Sequence, residues 1–447
     1  MKAMKVLRLC TALVTVAALF CATDVSGLER QTAYQYDEKG VSIPAPAAYA
    51  VERVWVAQNS GTSALSEPAD LFVDREGMLY IADTGNSRVL ILDGAWTLLS
   101  EIKTVWLENE AQSLQNPQGV FMGTDGLLYI CDTGNRRVIA VDGQSKIRRE
   151  ILGRDLTGVR ETYDFKPERV SVDSLGNIYV VSSSIYQGIM CFSADGVFRS
   201  FFAPNEVENT LSTWLLSLWK SVFTDKQKEN VEKSLPEPYN NLYIDADDFI
   251  YTTAPQAGEG GDLKKNNLMG VNILKSAHNL GAGERFGDAE LTVKDGKAAE
   301  NALADVHVDG EGVISVLDAN TNRVYQYTQE CDLIAIFGGS GSLKGQFTEV
   351  SALEKWEASY LVLDRQDGSV TVFSPCAYIE NVRGALKCYN LGLYQEAETL
   401  WEKVLNENGG MTLAYRGMGR AALQQNEVTK AMQYLDKGAD KYFYSIA

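Results

Sequence analysis

The chain is poor in the residues from which catalytic and metal centres are usually built. It carries two histidines, His278 and His307, in 447 residues. That is too few for the multi-histidine cluster of a zinc lyase. Seven cysteines contain no Cys-x-x-Cys pair: Cys10 and Cys21 lie near the N-terminus, and Cys131, Cys191, Cys331, Cys376 and Cys388 are scattered. The odd count and irregular spacing predict neither a disulfide framework nor a zinc site, and no Cys376–Cys388 bridge. Positive charge is also scarce, with 41 Lys and Arg against 59 Asp and Glu and a net charge of −18. That balance repels phosphate backbones, so no nucleic-acid partner is expected. Long apolar runs are missing except Leu9–Ala22, 14 residues behind Lys2, Lys5 and Arg8. The run is short of the roughly 18–20 residues of a membrane span. Residues 1–27 therefore read as a signal peptide or N-terminal anchor, and the protein as exported, extracellular or envelope-associated.

What the chain has is repetition. Leu79-Tyr80-Ile81-Ala82-Asp83-Thr84-Gly85-Asn86-Ser87-Arg88-Val89 recurs 49 residues on as Leu128-Tyr129-Ile130-Cys131-Asp132-Thr133-Gly134-Asn135-Arg136-Arg137-Val138. A repeat of this period marks one supersecondary unit copied side by side. Each copy reads as an inner strand, a glycine turn, a Leu-Tyr-Ile strand, an Asp-Thr-Gly-Asn turn and a further strand opening with Arg-Val. The Gly-Asn pair is expected to supply positive φ in a tight hairpin. The aspartate is expected to bond local backbone donors. Asp318, Asn322 and Arg323 repeat the Asp-to-Arg spacing, and weaker copies bring the units to six, starting near Pro68, Pro117, Pro167, Tyr239, Ala302 and Val350.

Asp-Thr-Gly-Asn-x-Arg-Val after Leu-Tyr-Ile resembles the NHL repeat, and Phe337–Phe347 resembles the glycine-rich lead-in of such repeats. The resemblance implies a mainly β fold over 48–376, a six-bladed β-propeller of four-stranded blades. Residues 28–47 are taken as a linker. Rings of this sort usually close with an N-terminal strand, here Ala48–Val56. Recurrence of Asp83, Asp132 and Asp318, and of Arg88, Arg137 and Arg323, at equivalent places favours turn-building and intrablade bonding over metal or substrate binding. The same holds for Asn86, Asn135 and Asn322. Gly338-Gly339-Ser340-Gly341 lacks the Gly-Lys-Ser/Thr ending of a phosphate loop and reads as a connector.

Two insertions stretch the spacing. The first, at about 205–238, reads as an amphipathic helix with Leu211, Trp214, Leu215, Leu218, Trp219 and Val222 on one face. It is expected to pack on the ring or to meet a membrane surface or partner helix. The second, about 254–300, reads as loop or extended hairpin. After Pro375 the periodicity turns helical. Ala385, Gly392, Tyr394, Ala397 and Trp401 are echoed 34 residues later by Gly419, Asn426, Val428, Ala431 and Leu435. The segment 377–447 therefore resembles the tetratricopeptide (TPR) repeat, over about one and a half units. So short an array is expected to pack on the propeller.

Function follows less directly. No catalytic, cofactor-binding or metal-binding residue is assigned, and no cofactor is expected. The expected function is a non-catalytic scaffold or binding protein, the propeller taking a ligand or protein and the helices a protein partner. A metal-dependent lactonase-like hydrolase in the channel is the first alternative, with His307 as a residue that could face the channel. A carbohydrate- or peptide-binding receptor is the second, resting on Tyr186, Trp356 and Tyr378. Three or more carboxylates or amides converging in the channel would favour the enzyme.

Overall fold

The protein is described by a computed structural model covering residues 33–37, 39–153, 164–203, 238–258, 261–274, 286–288, 292–294, 297–299 and 301–447. Residues 1–27, expected to form a leader, His278 and the helix expected to carry Trp214, Leu215, Leu218 and Trp219 lie outside the described residues. No helix among the described residues is long and apolar enough to cross a membrane.

Six antiparallel sheets follow one another around a ring. Blade one comprises Asp70–Val73, Leu79–Asp83, Arg88–Leu92 and Leu98–Ile102. Blade two runs from Gly119–Met122 to Ile147–Leu152, and blade three from Pro167–Val172 to Phe198–Phe202. Blade four has three described strands, Asn241–Ile244, Ile250–Gly258 and Gly261–Asn266. Blade five runs from Leu303–Val308 to Leu333–Gly338. Blade six is closed from the other end of the chain: Val350–Trp356, Ser359–Asp364 and Ser369–Pro375 are completed by Tyr49–Val56, which pairs antiparallel with Ser369–Pro375.

The near-continuous apolar runs follow from stacking. Successive side chains of a strand point to opposite faces, and here each face meets a different blade. Leu79 and Ile81 pack with Leu361, Leu363, Val370 and Val372 of blade six. Tyr80 and Ala82, between them in sequence, pack with Val120, Leu128 and Ile130 of blade two. A blade so covered on both sides has little room for a polar residue in its middle strands.

In four blades an aspartate at the end of the second strand pins the segment that leads into its blade. Asp83 Oδ1 accepts from Ser66 N (2.7 Å), Asp132 Oδ1 from Gln115 N (2.7 Å) and Asp318 Oδ1 from Ala302 N (2.9 Å). Ser182, standing in this place in blade three, accepts from Lys166 N (3.1 Å). The other oxygen of Asp83 accepts from Asn86 Nδ2 (2.9 Å) and Arg88 Nε (2.6 Å), and Asp132 repeats the arrangement with Asn135 (2.8 Å) and Arg137 (2.8 Å). The adjoining threonines tie blades together: Thr84 Oγ1 donates to the Pro117 carbonyl (2.7 Å) and Thr133 Oγ1 to that of Pro167 (2.5 Å).

Three details of these turns differ from the sequence reading. Positive φ falls on Ser87 (52°), Arg136 (57°) and Asn322 (54°), one residue past the expected Gly-Asn pair. Gly85 is required by proximity instead, since a Cβ there would lie 2.8 Å from the Ser66 carbonyl oxygen, and Gly134 meets Gln115 likewise. In blade five Thr321 takes the place of Asn86 and donates to Asp318 Oδ2 (2.8 Å). Asn322 faces the next blade, donating to Ser340 Oγ (3.0 Å) and accepting from Val350 N (3.2 Å). Arg323 turns to Asp288 (3.7 Å) and lies over the Tyr34 ring (5.1 Å).

Five helices follow the ring: α1 (Ala377–Asn390), α2 (Tyr394–Glu407), α3 (Thr412–Gln424), α4 (Val428–Lys437) and α5 (Lys441–Ile446). The turns between α1 and α2 and between α3 and α4 each contain one left-handed residue, Gly392 (φ 78°) and Asn426 (φ 61°), 34 positions apart. Ala397, Trp401 and Ala431 are fully buried. Tyr378, Ile379, Val382, Trp401 and Met418 share one apolar cluster with Val313, Ile334, Phe337 and Tyr360 of blades five and six. The short hairpin of Tyr34–Tyr36 with Ser42–Pro44 joins this junction, Gln35 exchanging hydrogen bonds with Asn408 (2.8 and 2.9 Å).

Candidate functional site

The inner strands surround a cavity of about 1040 Å³ that opens among the turns leading to the second strands. Two layers of side chains alternate along its walls, as the pleat demands. Equivalent positions, fixed by pairing with the second strands, give a floor of Asp70, Gly119, Arg169, Asn241, Asp305 and Ala352. Two residues along each strand lie Phe72, Phe121, Ser171, Tyr243, His307 and Glu354.

The floor is a charged plug. Arg169 Nη2 donates to the Ala69 carbonyl (3.1 Å) and Nη1 to that of Gln118 (3.2 Å), while Nε lies 3.7 Å from Asp70 Oδ1. Gly119 makes room for this, because a Cβ there would collide with the Glu168 carbonyl oxygen and stand 3.1 Å from Arg169 Cα. Asp70 Oδ2 accepts from Val120 N (2.9 Å). Asp305 accepts from Leu353 N (2.6 Å), Val306 N (2.7 Å) and the Asn241 amide. One guanidinium thus serves two buried carboxylates. Burial pushes the Asp70 carboxyl up to about 6 against the pull of Arg169. Burial, with Asp70 adding to it, pushes Asp305 well above the ordinary range.

The second layer is aromatic with one polar pair. Phe72 and Phe121 rings lie 4.9 Å apart, and Tyr243 lies 4.7 Å from the His307 ring. His307 Nδ1 contacts Glu354 Oε1; both residues are buried. At the mouth, Asp309 takes Lys355 Nζ (2.8 Å) and Arg383 of α1. Burial works to raise the Asp309 carboxyl, but Arg383 and Lys355 outweigh it and hold it below the usual range. Arg383 also reaches Glu311 (2.9 Å), which ties the helices to the rim.

Asp70, Asn241, Asp305 and Glu354 do converge in the channel, the pattern that would favour an enzyme. Their partners blunt that signal: the acids are engaged with backbone N–H groups and Arg169. Among the described residues no group of three or more His, Cys, Asp or Glu is placed to hold a metal. The three aromatics proposed for sugar contact do not assemble. Trp356 lies at the channel mouth, Tyr186 is in blade three, and Tyr378 is buried under the helices, bonded by Asn408 Nδ2 (2.8 Å). Burial removes Tyr378 from any surface sugar site. His307, a residue the sequence allows to face the channel, lines it. Arg169, Asp70 and Asn241 had not been singled out, although a charged residue opening an apolar inner strand was the available signal.

No protein-family profile matches the chain, and no curated protein matches it. Similar solved structures are a streptogramin B lyase (8% identity, TM-score 0.43, covering 78% of this chain and 88% of that one). A second is a catalytically inactive virginiamycin B lyase from Staphylococcus aureus with quinupristin (10%, 0.44, 73% and 100%). A third is the extracellular domain of a protein described as a one-component system from B. thetaiotaomicron (13%, 0.39, 76% and 40%). At such identities and TM-scores these likenesses carry no argument about this chain.

Proposed function

We propose that this chain is an exported, non-catalytic binding scaffold whose NHL-type ring receives a ligand through the mouth of its channel. Its TPR-like helices would dock a protein partner. The observation that carries the reading is the shape of the channel: a cavity of about 1040 Å³, closed below by the Arg169 plug and walled by Phe72, Phe121 and Tyr243. Concave, largely preformed sites with aromatic walls and a few fixed polar groups are where proteins hold ligands. The acids of the turns, Asp74, Asp173, Asp245 and Asp248, border the opening and favour a cationic or hydroxyl-rich ligand group over an anion. Affinity capture from a cell-envelope extract tests this. The wild type should recover a channel ligand that a Phe72→Arg/Phe121→Arg variant loses, while any partner held by the helices stays with both. The same set of molecules recovered from both, with none lost from the variant, contradicts the channel reading.

One observation favours a second, catalytic reading. An imidazole against a carboxylate in a channel, as His307 stands against Glu354, is the arrangement a general base requires. That reading calls for substrate turnover that His307→Ala abolishes, and turnover that survives the substitution defeats it. The metal-dependent form of it finds no donor set among the described residues.

A further inference from the structure

We propose that the channel ligand carries a quaternary ammonium group, held between two pairs of aromatic rings and countered by the Glu354 carboxylate. This rests on the channel being the ligand site and names the chemical class that fits it. Ten Asp and Glu residues line the cavity against three Lys and Arg, so its field draws a cation inward.

The rings belong to the second layer of the inner strands. Phe72 and Phe121 stand on blades one and two, Tyr243 and His307 on blades four and five. In a ring of six these blades form opposite walls, so the two pairs face each other across the cavity. Ring centroids within the pairs are 4.9 and 4.7 Å apart. Phe72, Phe121 and Tyr243 are half-buried and border the open space. Between the pairs, blade three supplies Ser171 and blade six Glu354.

Glu354 is the one acid of this layer, and it is 6% exposed. Its Oε1 accepts from Lys355 N (3.0 Å) and touches His307 Nδ1, whereas Oε2 has no hydrogen-bond partner among the described residues. No Lys or Arg among them pairs with it: Lys355 and Arg383 lie on Asp309, and Arg169 lies by Asp70. A buried carboxylate without a matching cation is costly, and a cationic ligand relieves that cost. The rings decide which cation. A metal ion or a primary ammonium needs several acceptors in place of its water, and the described residues place no three His, Cys, Asp or Glu to hold a metal. A quaternary ammonium has no N–H to satisfy and is attracted to aromatic faces.

The test titrates the whole chain with choline and with neohexyl alcohol, its uncharged carbon isostere, and follows the methyl proton resonances of each. Choline should bind saturably and about tenfold more tightly than the alcohol. Its methyl signal should move upfield, the mark of a group held among aromatic rings. Glu354→Gln should erase the preference for choline. The inference is overturned by absence of saturable choline binding, by equal affinity for the two compounds, by an unmoved methyl signal, or by a preference that survives Glu354→Gln. Should Glu354→Gln not fold, the wild-type comparison decides alone. These failures are distinct from that of the channel reading: an uncharged ligand captured by the wild type and lost from Phe72→Arg/Phe121→Arg would sink the ammonium and keep the channel.

Discussion

The strand Leu303–Val308 of blade five carries a buried aspartate near one end and another just past the other. Asp305 and Asp309 are four residues apart and behave in opposite ways. Asp305, at the floor, is bonded by amides and shares Arg169 with Asp70, and its carboxyl is pushed well up. Asp309, at the mouth, has Lys355 and an arginine sent from another module, and its carboxyl is held down. Depth alone does not set the charge of a buried acid; the supply of cations does. The ring spends one guanidinium on its floor, while the rim is neutralised from outside by α1. The helices are therefore part of the electrostatic finish of the channel mouth.

The comparison can be broken most directly at Arg383. Its side chain is 13% exposed and Asp309 is 1% exposed. Arg383→Met should cost about 3–5 kcal/mol in chemical denaturation, the usual effect of stripping one partner from a buried pair. Retention of wild-type stability would show that Lys355 alone suffices.

Acid titration is the next largest effect. The Asp70 carboxyl is raised in the fold, so the native state holds its proton more tightly than the unfolded chain does. Its contribution to stability is thus complete below about pH 4 and is lost as pH rises through about 6. Relative to Asp70→Asn, the wild type should lose up to about 3 kcal/mol between pH 4 and pH 7. Asp309 has the reverse sign: its stabilisation is present above the ordinary carboxylate range and disappears as pH falls through its depressed value. Asp309→Asn should accordingly flatten the acid limb that Asp70→Asn steepens. Parallel pH profiles for the two variants would erase the distinction between floor and mouth.

Smaller effects calibrate these. Asn86→Ala, which removes a side chain bonded to Asp83 and to the Ala64 carbonyl (2.8 Å), should cost about 1 kcal/mol. Lys387→Ala should change stability by no more than about 0.5 kcal/mol, because Lys387 is 59% exposed and surface pairs contribute little.

The same contrast explains how much could be read beforehand. Asp83 and Asp132 were legible because the turn they build recurs, and the ring of six blades follows from that recurrence. The closing strand at Ala48–Val56 was legible because a ring requires it and the segment alternates. The 34-residue echo of Gly392 and Asn426 marked the helix pairs. Floor residues resisted such reading. Each blade contributes a different residue there (Asp70, Gly119, Arg169, Asn241, Asp305, Ala352), so no repeat advertises them. Their meaning comes from partners 48 to 100 residues away. Asn322 misled for another reason: it stands at the position of Ser87, one past Asn86, and Thr321 is the residue that bonds the aspartate in that turn.

The central claim is that ligand enters the ring at the turns around the channel mouth. Hydrogen exchange of the protein with and without the captured ligand tests it most directly. The account predicts added protection at residues 74–77, 245–248 and 354–357, around the opening. Protection confined to the outer strands or to α2–α4, with those turns unchanged, would contradict it.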